Sequence, residues 1–252
     1  MREKVLLTGD SNTSKTFSLV SLAMLYPDRK VIIFDPDDGT AKTLGEFGLS
    51  NADFPNLTII PVRNNWEEFM ATYTTIRTTL AETDWMCVDM LGRFWDMAQQ
   101  YYSQRVFGQN PIEHLMTLKR QAQGVQFNGF DGLQDWPLIK RIHNELFVDD
   151  MVVYSKFSVM CTTAAKDFMP MEKVPKTGTQ SIYAAEFGMK PEGEKHNIFR
   201  FDTQAVMYRK PAGTYHFRLV RDRGRHTDIK QEFDITGKSF WQVFCEYREI
   251  PL

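Results

Sequence analysis

Short apolar runs alternate with longer amphipathic stretches through the first two thirds of the chain. The apolar runs predict strands, and Lys30–Asp35 is typical of a strand buried on both faces of a parallel sheet. Apolar residues spaced three and four apart predict helices between these runs. The predicted strands are Val5–Leu7, Lys30–Asp35, Leu57–Pro61, Trp85–Asp89 and Ser158–Ala164. The predicted helices are Phe17–Leu25, Thr40–Phe47, Asn65–Ala81 (with Asn64 or Asn65 as N-cap), Gly92–Phe107 and one that starts at Pro137.

The last part of the chain has a different pattern. Strand-like runs at Thr203–Arg209, Tyr215–Arg221 and Glu232–Ile235 predict a terminal antiparallel set, and a short helix is predicted from Ser239 to Tyr247. Two long segments, 108–135 and 166–197, are predicted as loops, which at this length are usually functional or disordered. The fold class predicted is therefore α/β, with a mostly parallel twisted sheet, helices on both faces and a C-terminal antiparallel extension.

The composition is that of an ordinary globular protein and does not by itself indicate a function. The 252 residues are 42% hydrophobic and 25% charged, which suits one domain over residues 1–252. A net charge of −2 gives no global attraction to nucleic acid or anionic membranes, so any DNA contact has to be local. The scattered Cys87, Cys161 and Cys245 indicate buried, reduced thiols and a cytoplasmic location. We expect no signal peptide and no membrane span.

The stretch VLLTGDSNTSKT carries the strongest motif. The spacing Gly9-x-x-x-x-Ser14-Lys15-Thr16 between a strand and a helix matches a phosphate-binding loop, except that Ser14 replaces glycine. Lys15 would neutralise the β- and γ-phosphates of ATP, and Thr16 would ligate Mg²⁺. A Cβ at Ser14 is expected to lower the affinity for the phosphates, because glycine lets the backbone approach them closely. The residues predicted to contact the nucleotide are Gly9, Asp10, Ser11, Asn12, Thr13, Ser14, Lys15 and Thr16.

Acidic residues end two of the predicted strands, where ligands bind in open α/β sheets. Asp89 closes the apolar run WMCVD and is predicted to hold Mg²⁺ opposite Thr16; the alternative is a turn or N-cap aspartate. Asp35, Asp37 and Asp38 follow the second strand, and Asp37 is the predicted base that orients the attacking water. Acids in such a turn are also ordinary turn formers.

Two hydroxyls lie near the end of the strand Ser158–Ala164. Thr162 and Thr163 could sense the γ-phosphate, and Thr163 is the residue that we assign to the nucleotide site. Both are also residue types that favour strands.

The order of these motifs resembles bacterial RecA recombinase and the compact RecA-like ATPases that phages encode for recombination and single-strand annealing. The resemblance covers roughly Val5–Ile235 and includes Asp35-Pro36-Asp37, where the family carries Asp-x-Glu. It also includes Arg221-Asp222-Arg223, followed by the run KQEFDI, Lys230–Ile235. The resemblance implies one RecA-like P-loop ATPase domain that binds ATP and Mg²⁺.

The resemblance also implies roles for the arginines and the loops. Arg221 and Arg223 would reach the nucleotide of a neighbouring subunit of a ring or filament and join Lys15 and Asp37 in catalysis; the alternative is a solvated surface turn. The segments 108–135 and 166–197 would face DNA. The second segment interleaves lysines with Phe168, Tyr183 and Phe187, although its glutamates dilute the charge.

The function predicted is an oligomeric ATPase that binds DNA, with single strands preferred, and acts in phage-type recombination or annealing. Two alternatives stay open at this point. One is a DNA-translocating motor of the packaging or helicase type. The other is a nucleotide-bound assembly protein in which Ser14 makes hydrolysis slow.

Overall fold

The computed structural model describes residues 2–121, 130–131, 133–169, 178–223 and 231–252, except for the side chains of 115 and 118–121. One sheet has the order β3-β2-β4-β5-β1-β7-β8-β9, and β6 pairs with the end of β5. The strands from β3 to β7 are parallel, whereas β8, β9 and β6 are antiparallel to their partners. The strands are β1 Lys4–Gly9, β2 Val31–Asp35, β3 Leu57–Pro61, β4 Trp85–Val88, β5 Ser158–Asp167, β6 Met189–Pro191, β7 Thr203–Arg209, β8 Tyr215–Asp222 and β9 Glu232–Asp234.

Helices connect the parallel strands, and their ends follow the capping rules. Asn65 caps its helix by accepting hydrogen bonds from the N–H groups of Glu67 and Glu68, and Ser239 accepts one from Gln242. The helices are α1 Lys15–Leu25, α2 Gly39–Glu46, α3 Trp66–Thr79, α4 Leu91–Phe107, α5 Pro111–Gln121, α6 Asp135–His143, α7 Thr179–Ile182 and α8 Phe240–Arg248. Asn144–Val153 and Tyr183–Phe187 are π-helical, and Asn51–Asp53 and Asn197–Phe199 are single 3₁₀ turns.

Alternation along each strand divides the apolar side chains between two cores. Leu6 of β1 joins the core beneath α3, α4 and the π-helical segment 144–153. Val5 and Leu7 join the core beneath α1 and α8 on the other face. Because both faces are covered, the parallel strands are continuous apolar runs.

The predicted fold class is confirmed: the chain is α/β, with a mostly parallel sheet, helices on both faces and an antiparallel extension. One detail differs, since β7 is parallel to β1 and the antiparallel set starts only at β8. The three cysteines are buried thiols, as predicted. No helix within the described ranges has the length and apolarity needed to cross a bilayer. One domain over 1–252 stays a prediction.

The two predicted long loops are wrong as loops. The first contains α5, and the second contains α7, a π-helical turn and β6. β6 forms because Lys190 of the second segment pairs with Lys166 of β5, which extends the sheet beyond the predicted end of that strand. Residues 122–129, 132 and 170–177 of these segments lie outside the described residues, as does the start of KQEFDI.

Phe147 stabilises the first core through aromatic contacts. Its ring is fully buried and lies edge-on to Phe69 and Tyr73, with centroids 4.9 and 5.3 Å away. We expect Phe147→Ala to lower the free energy of unfolding by about 3–5 kcal/mol, because it leaves a cavity. The matched control is Leu146→Ala at the neighbouring position, which is 55% exposed and should cost less than about 0.5 kcal/mol. Urea unfolding of both variants measures the difference, and equal losses would contradict the assignment of the core.

Candidate functional site

The strand order brings the ends of β1, β5, β4 and β2 to one edge of the sheet. β5 lies between β1 and β4, and Cys161 of β5 pairs with Leu6 on one side and Val88 on the other. The residues that follow these positions are Leu7, Thr162 and Asp89. The loop after β1 therefore faces the acid after β4 across a single strand.

The loop from Gly9 to Thr16 has the backbone geometry of an anion cradle. Gly9 is required, because a Cβ there would lie 2.3 Å from the carbonyl oxygen of Met207 on β7. Asn12 and Ser14 have positive φ angles of 55° and 67°. Within the described part of the chain, no hydrogen bond is found for the backbone N–H groups from Ser11 to Lys15. These donors, at the N-terminus of α1, are free to bind an anion.

Lys15 is buried and folded back onto the loop. Its Nζ donates to the carbonyl oxygen of Gly9 at 2.9 Å, to that of Asp10, and to Oγ1 of Thr13 at 3.3 Å. Burial lowers the pKa of the Lys15 ammonium, while the nearby carboxylates of Asp89 and Asp10 act in the opposite direction. The ammonium is thus held by neutral carbonyls at the mouth of the loop, where an anionic ligand would stabilise its charge.

Asp89 is the centre of a small polar cluster beneath the loop. The hydroxyl of Thr16 donates to Oδ2 of Asp89 at 2.7 Å, and the hydroxyl of Thr162 donates to Oδ1. Burial raises the pKa of the Asp89 carboxyl, and the two hydroxyl hydrogen bonds counteract part of this effect. A hydroxyl and a carboxylate at this distance are the kind of oxygen donors that Mg²⁺ prefers.

The acidic turn after β2 has three carboxylates in three different roles. Asp35 is 3% exposed and caps α2: its Oδ1 accepts from the N–H groups of Asp37 and Gly39, and its Oδ2 from that of Thr40. Asp37 pairs with Arg93 of α4, whose Nε lies 3.1 Å from Oδ1. Asp38 is exposed and has a positive φ of 55°.

This turn lies against the polar cluster. A Cβ built on Gly39 would be 3.6 Å from Oδ2 of Asp89. The role of Asp37 as base stays a prediction, but the structure places its turn at the sheet edge where the prediction needs it.

Thr163 is on the other face of the sheet. Its hydroxyl donates to the carbonyl oxygen of Glu192 at 2.8 Å, on the side where Thr8 contacts Tyr183. Thr162, one residue earlier, has the hydroxyl that reaches Asp89. The structure therefore does not bring the side chain of Thr163 to the loop, whereas the hydroxyl of Thr162 lies in the polar cluster beneath it.

The two arginines lie towards the opposite edge of the sheet. Arg221 pairs with Gln204, three residues before Met207, which is the partner of Gly9. At the rise of a strand this is an offset of roughly 10 Å along the strands, and Arg221 also lies two strands away from β1. Arg221 donates to the carbonyl oxygen of Ile198 at 3.3 Å. Arg223 lies further away, with an ion pair of 3.8 Å to Asp202.

Asp222 lies between these arginines but is not part of a solvated turn. It is buried, accepts a hydrogen bond from Thr203 and pairs with Arg248 of α8. The structure therefore does not unite Arg221 and Arg223 with Lys15 and Asp37 within one chain.

The cluster has the donors to hold a triphosphate and its cation, but not a cation alone. Among the described residues, no group of three or more His, Cys, Asp or Glu side chains is placed to hold a metal ion. Thr16 and Asp89 would supply two oxygen ligands, and phosphate oxygens and water would complete the coordination of Mg²⁺. Free N–H groups and the Lys15 ammonium fit the phosphates.

Sequence reasoning did not identify Arg93, and it assigned Thr163, whose hydroxyl lies on the face away from the loop. Thr162 could have been found from strand parity, because it shares a face with Met160, which packs beneath α1. No local pattern signals the contact of Arg93 with Asp37, which joins residues 56 positions apart.

Asp89→Asn provides a test of the buried charge. The pKa of Asp89 is raised in the folded state. Just above the ordinary pKa of aspartate, the folded protein therefore binds more protons than the unfolded protein. Because of this difference, the contribution of Asp89 to the free energy of unfolding falls as the pH rises through that range. We expect Asp89→Asn to remove that fall and to raise Tm at pH 7, by about 2–4 °C for each kcal/mol gained.

The matched control is Asp84→Asn, at the other end of β4. Asp84 accepts backbone hydrogen bonds from Lys30 and Ala81 at 2.9 and 2.8 Å, so its replacement should lower Tm. Thermal unfolding at pH 5 and pH 7 measures both variants. A lower Tm for Asp89→Asn would show that the buried carboxylate stabilises the fold.

The chain is similar in structure to a solved protein described as the RadB recombinase. The two are 15% identical, the match covers 94% of this chain and 89% of that chain, and the TM-score is 0.47. No protein-family model matches the sequence, and no curated protein matches it at a significant level.

Proposed function

We propose that the chain is a RecA-like P-loop ATPase, formed as one domain over residues 1–252, that binds and hydrolyses ATP with Mg²⁺. The observation that carries the proposal is the 2.7 Å hydrogen bond between Thr16 and Asp89 beneath a loop whose N–H groups are free. A hydroxyl at the start of α1 and a carboxylate directly after β4, both below the loop, support the assignment of Thr16 and Asp89 as cation ligands.

Each residue then has a defined task. The N–H groups of the loop bind the phosphates, and Lys15 leaves the carbonyl oxygens of Gly9 and Asp10 to neutralise them. Thr16 and Asp89 would hold Mg²⁺. When bound, the cation supplies charge neutralisation for the leaving phosphate groups.

Asp37 is the proposed base that orients the attacking water. Asp35 is less suited to this task, because both of its carboxylate oxygens accept backbone hydrogen bonds at the start of α2. Asp37 keeps free lone pairs beside its ion pair with Arg93, since that pair uses one N–H group. Movement of Arg93 would release the carboxylate for water.

Arg221 and Arg223 complete the site only in an oligomer. Their distance from the loop of their own chain supports a role at the nucleotide of a neighbouring subunit. A guanidinium placed there would stabilise the transition-state charge and couple hydrolysis to assembly into a ring or filament.

The proposed substrate of the assembly is DNA, with single strands preferred, in phage-type recombination or single-strand annealing in the cytoplasm. The segments around 108–135 and 166–197 lie at the ends of α4 and β5, and Lys190 contacts the ring of Phe168 with Nζ 5.3 Å from its centroid. Paired lysines and aromatic rings suit phosphate contacts and base stacking.

The backbone conformation of Ser14 favours slow hydrolysis of ATP. Ser14 has a φ of 67°, in the left-handed region where a Cβ is unfavourable, at the position where the motif has glycine. A nucleotide-bound assembly protein with little turnover is therefore the second candidate.

The first test is the response to Mg-ATP. ATP at about 100 times its Kd should stabilise the folded state by about 2.7 kcal/mol, seen as a rise in Tm. Lys15→Ala should abolish the rise, whereas Lys156→Ala, an exposed lysine outside the site, should keep it. An unchanged Tm of the unaltered chain in millimolar Mg-ATP contradicts the proposal.

Hydrolysis measured with and without DNA separates the candidates. Stimulation by single strands supports the recombination or annealing role, and stimulation by duplex alone supports a motor. Oligomers that form with ATP but without turnover support the assembly protein.

Ser14→Gly tests the effect of the Cβ. We expect roughly fivefold tighter Mg-ATP binding, about 1 kcal/mol, because glycine adopts the left-handed conformation without steric cost and lets the backbone approach the phosphates. Ser14→Ala removes the hydroxyl but keeps the Cβ, so its affinity should match that of the unaltered chain. Isothermal calorimetry measures both, and equal gains in the two variants would assign the effect to the hydroxyl instead.

A further inference from the structure

A cleft with a volume of about 540 Å³ lies between α4, α6 and the segment after β6. We call it the tryptophan cleft. Its lining includes Trp95, Leu133, Trp136, Lys140, Glu194 and Lys195. It belongs to the sheet face opposite α1, because α4 packs on that face.

Two tryptophan rings form one wall. Trp95 and Trp136 are stacked, with centroids 6.0 Å apart and ring planes at 20°. Trp136 is 38% exposed, whereas Trp66, Trp85 and Trp241 are at most 5% exposed. A large aromatic ring that stays in solvent beside another aromatic ring offers a flat apolar surface for a ligand.

The charges of the cleft are favourable for an anion. Lys140 and Lys195 line it, and no ion pair is found for either within the described residues. The one carboxylate among the lining residues, Glu194, has a side chain only 1% exposed. Its oxygens accept hydrogen bonds from the N–H of His196 and the amide of Asn144, so its charge is held inside the protein.

The cleft is held at the same edge of the sheet as the phosphate loop. Its segment after β6 is fixed to β5, because the N–H of Glu192 donates to the carbonyl oxygen of Ala164 at 2.9 Å and the hydroxyl of Thr163 donates to the carbonyl oxygen of Glu192. Trp95 lies two residues after Arg93, which pairs with Asp37. The first two turns of α4 therefore contact both the acidic turn and the cleft.

We propose that the tryptophan cleft binds unpaired bases of single-stranded DNA, with a base stacked on the exposed ring of Trp136 and phosphates bound by Lys140 and Lys195. The assignment to DNA rests on the proposed function. Stacking needs a free face of a base, which a duplex hides within its own stack, so the cleft selects single strands.

The experiment follows the intrinsic fluorescence of the full chain during titration with an oligo-dT, with and without Mg-ATP. Only Trp95 and Trp136 of the five tryptophans are placed to be quenched by a stacked base. We expect quenching, and we expect Trp136→Ala to weaken binding on the order of 10- to 100-fold in fluorescence anisotropy of a labelled oligo-dT. Trp136→Phe should keep most of the affinity and lose part of the quenching.

The lysines give a second, independent measurement. Lys140→Ala combined with Lys195→Ala should reduce the slope of log affinity against log salt by about 1.4, because each phosphate contact on a single strand contributes about 0.7. The matched control is Tyr154→Ala, an exposed aromatic residue that does not line the cleft; it should leave both affinity and slope unchanged. Tm values of all variants show that they are folded.

Several outcomes overturn the inference. If oligo-dT binds without quenching, and binds the unaltered chain and the Trp136→Ala variant with equal affinity, its binding site lies outside the cleft. The proposed function would then stand without the cleft. Duplex or oligo-rU that binds more tightly than oligo-dT, with the same loss in Trp136→Ala, would contradict an occupant that is single-stranded DNA. Failure of oligo-dT to bind overturns the cleft and the DNA role together, whereas an absent Tm response to Mg-ATP affects only the nucleotide site.

Discussion

The hydrogen bond between Thr16 and Asp89 forms because the order of the parallel strands brings these two residues together. It joins the first turn of α1 to the end of β4, and these elements are neighbours only because β5 lies between β1 and β4 in register. The apolar pattern of the strands sets that register, since a slip of one residue would move Thr162 to the other face. Packing of the two cores thus places the polar cluster.

Much of the fold could be predicted from the sequence, since parallel strands buried on both faces are apolar runs that interrupt the helical pattern. The predicted bounds of β3 and β7 agree with the structure. The miss at α5 has a local cause. Segment 108–135 is rich in Gly, Gln and Asn, and this composition led to the prediction of a loop. The helix begins at Pro111, a residue that favours the first position of a helix. β6 could not be predicted, because a strand of three residues depends on its partner β5.

The candidate site was predictable where it is contiguous in sequence and less so where it is assembled by the fold. The loop from Gly9 to Thr16 and the acid Asp89 follow from motif and strand ends. The pairing of Arg93 with Asp37 and the remote location of Arg221 need the tertiary structure. The site is also where local rules are broken, with Ser14 at a positive φ and Lys15 buried. Such features reduce stability and are tolerated where function needs them.

The start of α4 has a thermodynamic consequence. Arg93 and Trp95 belong to one rigid helical turn, so a displacement that changes the environment of one changes that of the other. If nucleotide at the loop alters the affinity for a strand at the cleft by some factor, linkage requires the strand to alter nucleotide affinity by the same factor. The helix would then transmit free energy equally in both directions, and a DNA strand held in the cleft would itself act as an effector of the phosphate site.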